Sequence, residues 1–162
     1  MTAYLGLGSN LGDRHAEIER AISALRQGGH VEVVSGVYET LPEGGAPQPR
    51  YLNAVVRMQT ALSPRALLDA CLAIEQAQGR VRPAEGGKAS RTLDIDILLY
   101  GDQVIDEPGL QIPHPRLLSR PFVRIPLADV ALPGLRHPVS GEVLDLSQPD
   151  GSVVLVKAPS VA

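Results

Sequence analysis

The link between residues 39 and 51 constrains the fold more than any other feature of the chain. On one side, "VEVVSGVYE" (31–39) is strand-like; on the other, "YLNAVVRMQT" (51–60) returns to strand. Between them "TLPEGGAPQPR" (40–50) holds three prolines and two glycines, so no regular structure fits there. Parallel neighbours need a crossover of a dozen or more residues, usually a helix. A direct strand-to-strand step therefore points to antiparallel pairing and argues against a doubly wound sheet.

The rest of the chain fits around that step. Residues 2–8 read as a first strand, and "SNLGD" turns the chain. A helix follows, with Ile18, Ala21, Ile22 and Leu25 at helical spacing, ended by Gly28 and Gly29. Ser63-Pro64 is an N-cap with proline at the first helical position, and Leu67, Cys71 and Ile74 form the expected buried stripe up to Gly79. Residues 80–91 are a polar, glycine-containing loop, and 91–100 a further strand. "YGDQVID" reads as a turn into a short hairpin partner. Beyond it the chain is punctuated by Pro113, Pro115, Pro121, Pro126 and Pro133, which predicts loops, one short helix near 116–131 and short strands near 143 and 153–156. The order β-α-β-β-α-β predicts an α+β, ferredoxin-like sandwich, a mainly antiparallel sheet flanked by helices. With 162 residues and 44% apolar content, one domain over 1–162 is expected.

Composition excludes several functions. No apolar run approaches the ~20 residues of a membrane span, and "MTAYLGLGSN" has no signal-peptide character, so a cytoplasmic protein is expected. The single cysteine, Cys71, excludes an internal disulfide framework and a multi-cysteine metal site. A net charge of −3 argues against a general nucleic-acid binder, and nothing requires an obligate protein partner. The basic residues are distributed unevenly. Thirteen of fifteen are arginine, with Arg80, Arg82, Lys88 and Arg91 in one cluster and Arg116, Arg120 and Arg124 in another. A GC-rich genome explains arginine over lysine but not the clustering. Arginine grips phosphate bidentately.

"RTLDIDILLY" (91–100) carries the chemistry. Aspartate is a poor strand former, yet Asp94 and Asp96 interrupt an apolar strand. Alternation puts both on one face, ~6–7 Å apart, with Leu93, Ile95 and Ile97 on the other. Such close carboxylates repel, and a hard divalent cation such as magnesium is their natural compensation. A solvated face with salt-bridged aspartates is the plainer alternative. The arginine-rich loop beside them shifts the balance, because metal-binding carboxylates with arginines are the equipment for phosphoryl transfer. In "IPHPRLLSRPFVRIPL", prolines bracket His114, and Arg116 and Arg120 follow, so His114 is a candidate phosphate ligand or proton donor. "YLNAVV" puts Tyr51 and Asn53 on one face, an aromatic ring beside a carboxamide, which suits a planar heterocycle. "GLGSNLG" is one residue too long for a dinucleotide fingerprint and reads as a turn with a helix cap at Ser9, Asn10 or Asp13. Phe122, on composition alone, reads as core.

Taken together, "YLGLGSNLGD", "YETLPEGGAPQPRYLNAVV", "IEQAQGRVR", "RTLDIDILLYG" and "IPHPRLLSRPFV" resemble the 6-hydroxymethyl-7,8-dihydropterin pyrophosphokinase family of the folate pathway, over about residues 3–125. The resemblance implies transfer of pyrophosphate from ATP to the pterin hydroxymethyl group, giving AMP and the pterin diphosphate. It implies that Asp94 and Asp96 hold two magnesium ions, and that Arg80, Arg82 and Arg91 belong to a catalytic loop. His114, Arg116, Arg120 and Glu75 would face the nucleotide. Tyr51 and Phe122 would sandwich the pterin, Asn53 and Thr40 would bind its polar edge, and Leu41 and Pro42 would line its pocket. The chain departs from many relatives in having "GGKASR" and no tryptophan before the aspartate strand, Pro115 after the histidine, and Glu43 where some pockets are apolar. The last ~35 residues match weakly. A magnesium-dependent nucleotidyltransferase and a non-enzymatic ferredoxin-like ligand-binding module are the competing readings.

Overall fold

A computed structural model describes residues 1–10, 12–40, 50–79 and 93–161. Leu41, Pro42, Arg80, Arg82, Lys88 and Arg91 lie outside the described residues. The elements run β1 (Thr2–Ser9), α1 (Arg14–Leu25), β2 (His30–Val34), β3 (Val37–Thr40), β4 (Tyr51–Gln59), α2 (Pro64–Ala77) and β5 (Asp94–Tyr100). Then come β6 (Ile105–Glu107), β7 (Leu110–Ile112), α3 (Pro121–Val130), β8 (Val153–Lys157) and β9 (Ser160–Val161).

The main sheet has the order β5-β1-β4-β2-β9, with β3 pairing to β4 and β8, and every pairing is antiparallel. If β2 and β3 count as one bent strand, the first four strands lie in the order fourth-first-third-second. This is the expected ferredoxin-like arrangement. Helix α1 starts where Asp13 accepts from the Ala16 amide (3.1 Å), and α2 where Ser63 accepts from Ala66 (3.2 Å). Of the three cap candidates for α1, Asp13 takes the role.

Side-chain alternation divides the core in two. Leu5, Leu7, Leu52, Ala54, Val56, Ile95 and Ile97 meet Ile18, Ile22, Leu67 and Cys71 of α1 and α2. On the opposite face Tyr4, Val55, Leu98 and Leu99 meet Val123, Leu127 and Val130 of α3. Each fully buried aliphatic side chain contributes about 1.5–3 kcal/mol relative to exposure. The α3 packing covers only one end of its face, and the other end is the site.

Three details differ from the sequence reading. The strand expected over 31–39 is broken at Ser35-Gly36: the Ser35 hydroxyl accepts from the Val55 amide (2.7 Å), and Gly36 donates to Asp129 Oδ2 (3.0 Å). A side chain thus replaces a ladder bond, and β3 continues along β4 but takes β8 on its outer side where β2 takes β9. The partner expected for β5 pairs elsewhere, because β6 and β7 form their own two-stranded sheet. Near residue 143 there is only an isolated bridge, Arg136 to Val143. No helix among the described residues is long and apolar enough to cross a membrane.

Candidate active site

Three adjacent strands build the site. Gly8 of β1 is in register with Asn53 of β4 on one side and Asp94 of β5 on the other, and Gly6 is opposite Asp96. Thr40 of β3 lies opposite Tyr51, and Tyr38 opposite Asn53. Since Leu5, Leu7, Leu52, Ile95 and Ile97 face the helical core, alternation turns Gly6, Gly8, Thr40, Tyr51, Asn53, Asp94 and Asp96 to the other face. Asp94 and Asp96 are half-buried there, while Leu93, Ile95 and Ile97 anchor their strand.

The glycines form the floor between the carboxamide and the carboxylates. A Cβ on Gly8 would come within 3.2 Å of Asn53 Oδ1, and one on Gly6 within 3.6 Å of Leu98. Backbone alone therefore separates Asn53 from the aspartates, leaving room for a flat ligand. Neither glycine is among the residues singled out in the sequence. Two glycines at spacing two within a strand are a signal of close approach by a ligand or backbone.

Asn53 is fixed by Thr40. Its Nδ2 donates to Thr40 Oγ1 at 2.7 Å, in a buried pair. With the amide nitrogen committed there, Oδ1 turns over Gly8 as an acceptor, and the threonine keeps its hydroxyl hydrogen to donate. Asn10, two residues beyond Gly8, is also buried, and both its carboxamide atoms lack a hydrogen-bond partner among the described residues. Unpaired buried amides cost about 1–3 kcal/mol and concentrate at functional sites.

His114 is held by backbone on both sides. Its amide donates to the Leu98 carbonyl (3.0 Å), and its Nδ1 accepts from the Arg116 amide (3.1 Å). A ring nitrogen that accepts carries no proton, so Nε2 bears the hydrogen of the neutral imidazole. Burial lowers the pKa of the ring; the guanidinium groups of Arg120 and Arg116 lower it further, against an opposing pull from Asp94. The Arg120 guanidinium stands over the Phe122 ring, 5.5 Å from its centroid. Phe122 is half-buried against the α3 core, so it is partly core and partly open. Arg116 is exposed, and Arg124 is engaged with the Leu118 and Gln148 carbonyls.

A cavity of about 650 Å³ opens beside the aspartate strand, lined by Leu68, Asp96, Ile97, His114, Pro115 and residues 106–111 of the β6–β7 hairpin. The hairpin's part in it was not visible in the sequence, because nothing local ties residues 106–111 to β5. Glu75 is buried within α2 and accepts the Ile95 amide at 3.1 Å through Oε2. The structure thus brings Thr40, Tyr51, Asn53, Asp94 and Asp96 to one end of the sheet face, with His114 beside Asp96 at the cavity, whereas Phe122 packs against the α3 core under the Arg120 guanidinium. Among the described residues, no three His, Cys, Asp or Glu side chains converge as a self-sufficient metal cage.

Comparison with known proteins agrees with this geometry. The family model for 7,8-dihydro-6-hydroxymethylpterin-pyrophosphokinase matches residues 4–132. A 2-amino-4-hydroxy-6-hydroxymethyldihydropteridine pyrophosphokinase from Pseudomonas aeruginosa is 46% identical over 137 residues, covering 83% of each chain. The Synechocystis protein of the same name is 40% identical over 98% of this chain and 82% of its own length. Among solved structures, the Plasmodium falciparum HPPK-DHPS chain superposes with a TM-score of 0.70 at 16% identity, over 88% of this chain and 43% of that one, which supports the fold. The matched span contains the glycine floor, the aspartate strand and His114, and the chain belongs to the 7,8-dihydro-6-hydroxymethylpterin-pyrophosphokinase family.

Proposed function

We propose that this chain transfers pyrophosphate from ATP to the hydroxymethyl group of 6-hydroxymethyl-7,8-dihydropterin in folate biosynthesis, with magnesium held at Asp94 and Asp96. The observation that carries the reading is one sheet face bearing Asn53, the glycine floor and the two aspartates in consecutive register. Family membership supports the reaction; the geometry supports the division of labour.

The pterin lies on the floor, with Tyr51 and Phe122 on its faces, and Asn53 Oδ1 and the Thr40 hydroxyl at its polar edge. ATP occupies the cavity beside β5, with His114 Nε2–H, Arg116 and Arg120 toward its phosphates. Leu41 and Pro42 are proposed to line the pterin pocket, and Arg80, Arg82 and Arg91 to neutralise phosphate charge. Two carboxylates, with no third such ligand among the described residues, fit magnesium, which is bound through one or two carboxylates plus phosphate oxygens. Two such ions, when bound, would neutralise the phosphates and polarise the β-phosphorus.

The chain's own work is positioning. The hydroxymethyl oxygen forms a bond to the β-phosphorus as the bond from that phosphorus to the α,β-bridging oxygen breaks. AMP leaves with the bridging oxygen, and the hydroxyl proton is released. Aligning two substrates and stabilising charge account for most of the acceleration in such reactions. His114, neutral and donating through Nε2, stabilises phosphate without exchanging a proton. Cytoplasmic residence follows from the pathway and is part of the proposal.

The test is a product assay with the protein, ATP, magnesium and the pterin, read by nucleotide chromatography. Pterin-dependent AMP is the expected product. ADP would indicate transfer of a single phosphoryl group, and free pyrophosphate with a nucleotidylated pterin would indicate a nucleotidyltransferase; either would overturn the reading.

A further inference from the structure

A helix that presents Leu67, Cys71 and residue 75 to the core at intervals of four should bury an apolar side chain at the last of them. Here that residue is Glu75, 1% exposed, while Ile74 is only partly buried. Burying a carboxylate is costly unless it is well bonded, so its partner matters. One partner of this carboxylate is the main-chain amide of Ile95, 3.1 Å from Oε2, the residue between the two aspartates.

The sheet explains why this amide needs a side chain. Among the described residues, strand β5 is at the edge of the main sheet, with β1 on one side only. In an antiparallel strand, successive N–H groups point to opposite sides. The Ile95 amide, directed to Glu75, faces away from β1, where no strand among the described residues receives it. Ile95 is itself buried, so an unpaired amide there would be costly. Glu75 thus substitutes for the missing neighbouring strand at one residue, the one flanked by Asp94 and Asp96.

Glu75 and Asp96 both act on one buried neighbour, Cys71. The Cys71 thiol, one turn before Glu75, is pushed up to about 12 by burial first, then by the charges of Glu75 and Asp96. Yet Glu75 does not converge with both aspartates as a third metal ligand.

We infer that Glu75 is a positioning residue for the metal-binding aspartates, acting through its hydrogen bond to the Ile95 amide rather than through contact with nucleotide. Fixing that amide fixes the backbone on which Asp94 and Asp96 are spaced, and so the geometry they offer to a divalent cation. This rests on the proposal that Asp94 and Asp96 hold magnesium.

Two substitutions separate reach from charge. Glu75→Gln keeps an oxygen at the same reach and loses the charge; Glu75→Asp keeps the charge and loses the reach. The measurement is calorimetric titration of magnesium into each folded protein with α,β-methylene-ATP, which cannot be cleaved at the reacting bond. Steady-state kcat and KM for ATP at saturating magnesium are the second readout. Glu75→Gln should stay within ~2-fold of wild type in magnesium affinity. Glu75→Asp should lose on the order of 10-fold, the usual scale for groups that orient metal ligands, with KM for ATP nearly unchanged. Wild-type affinity in Glu75→Asp with loss in Glu75→Gln would make charge the cause and overturn the inference. So would a rise in KM for ATP at unchanged magnesium affinity, which would make Glu75 a nucleotide contact. Asp96→Ala is the control: if it binds magnesium as wild type does, the metal assignment itself fails, and the inference fails with it.

Discussion

The two ends of one sheet face have opposite chemistry. Toward one end, Tyr4, Val55, Leu98 and Leu99 are covered by Val123, Leu127 and Val130 of α3. Toward the other, the same strands β1, β4 and β5 present Gly8, Asn53, Asp94 and Asp96. The pairing is antiparallel throughout, but the β1–β5 register shifts by one residue between Tyr4 and Leu5, where the two ends meet. The packed end fixes register, since a slip by one residue would expose the whole apolar set. Past the shift, the register that pairs Leu5 with Ile97 and Leu7 with Ile95 places Asp94 and Asp96 beside bare glycine. Rigidity made in one half is used in the other.

The most damaging way to break this arrangement is Asp96→Ala. Turnover to AMP should fall on the order of 10³-fold, the scale for removing a principal electrostatic contributor, while thermal stability holds. The packed end, which sets the fold, does not depend on Asp96. A folded variant with near-normal turnover would remove the aspartates from the chemistry.

Next in size is Asn53→Ala. The carboxamide is buried and bonded to Thr40, so its loss takes away the acceptor proposed for the pterin edge. KM for the pterin should rise on the order of 10- to 100-fold, with KM for ATP little changed. A rise in both would mean that Asn53 holds the sheet rather than the ligand. Gly8→Ala tests the floor more gently. The added methyl meets Asn53 Oδ1 at 3.2 Å, which that oxygen can relieve only by moving. A few-fold to ~10-fold loss in pterin KM is expected, on the scale of a misplaced binding group; no loss would show that the carboxamide has slack.

These residues also show how far the sequence could be read. Strands β1, β4 and β5 and helices α1 and α2 were legible, because their apolar residues repeat at two or at three and four. The aspartates stood out by violating that pattern. Ser35 did not, because its hydroxyl takes a ladder bond from Val55 and so breaks a strand that looks continuous. Glu75 was read through the resemblance as a nucleotide contact, and only the structure pairs it with Ile95. Hairpin residues 106–111 reach the cavity through tertiary packing, which leaves no local periodicity. Gly6 and Gly8 were legible in principle, since their alternation is in the sequence, but a turn-like "GLGSNLG" masks it. The site's chemistry was more readable than its supports, because chemistry requires unusual residues and support uses ordinary ones.

The smallest effect expected concerns His114, at the border between the two ends. It is half-buried, and burial together with the nearby Arg120 and Arg116 guanidiniums lowers its pKa below the ordinary 6.5. The unfolded chain takes up a proton near pH 6.5, whereas the folded one does so only at lower pH. Between those values the unfolded state binds more protons, so stability rises with pH through this window and is fully present above it. Acidification from pH 7.5 to 5.5 should therefore cost the wild type stability that His114→Gln retains. The difference in slope should not exceed one proton's worth, about 1.4 kcal/mol per pH unit. Urea denaturation of both proteins across that range reads it directly. Parallel slopes would mean that His114 titrates alike in both states, and that its neutral, Nε2-donating form is not enforced by the fold. A flatter slope in the variant would show that burial and the neighbouring arginines set the protonation of the proposed phosphate ligand.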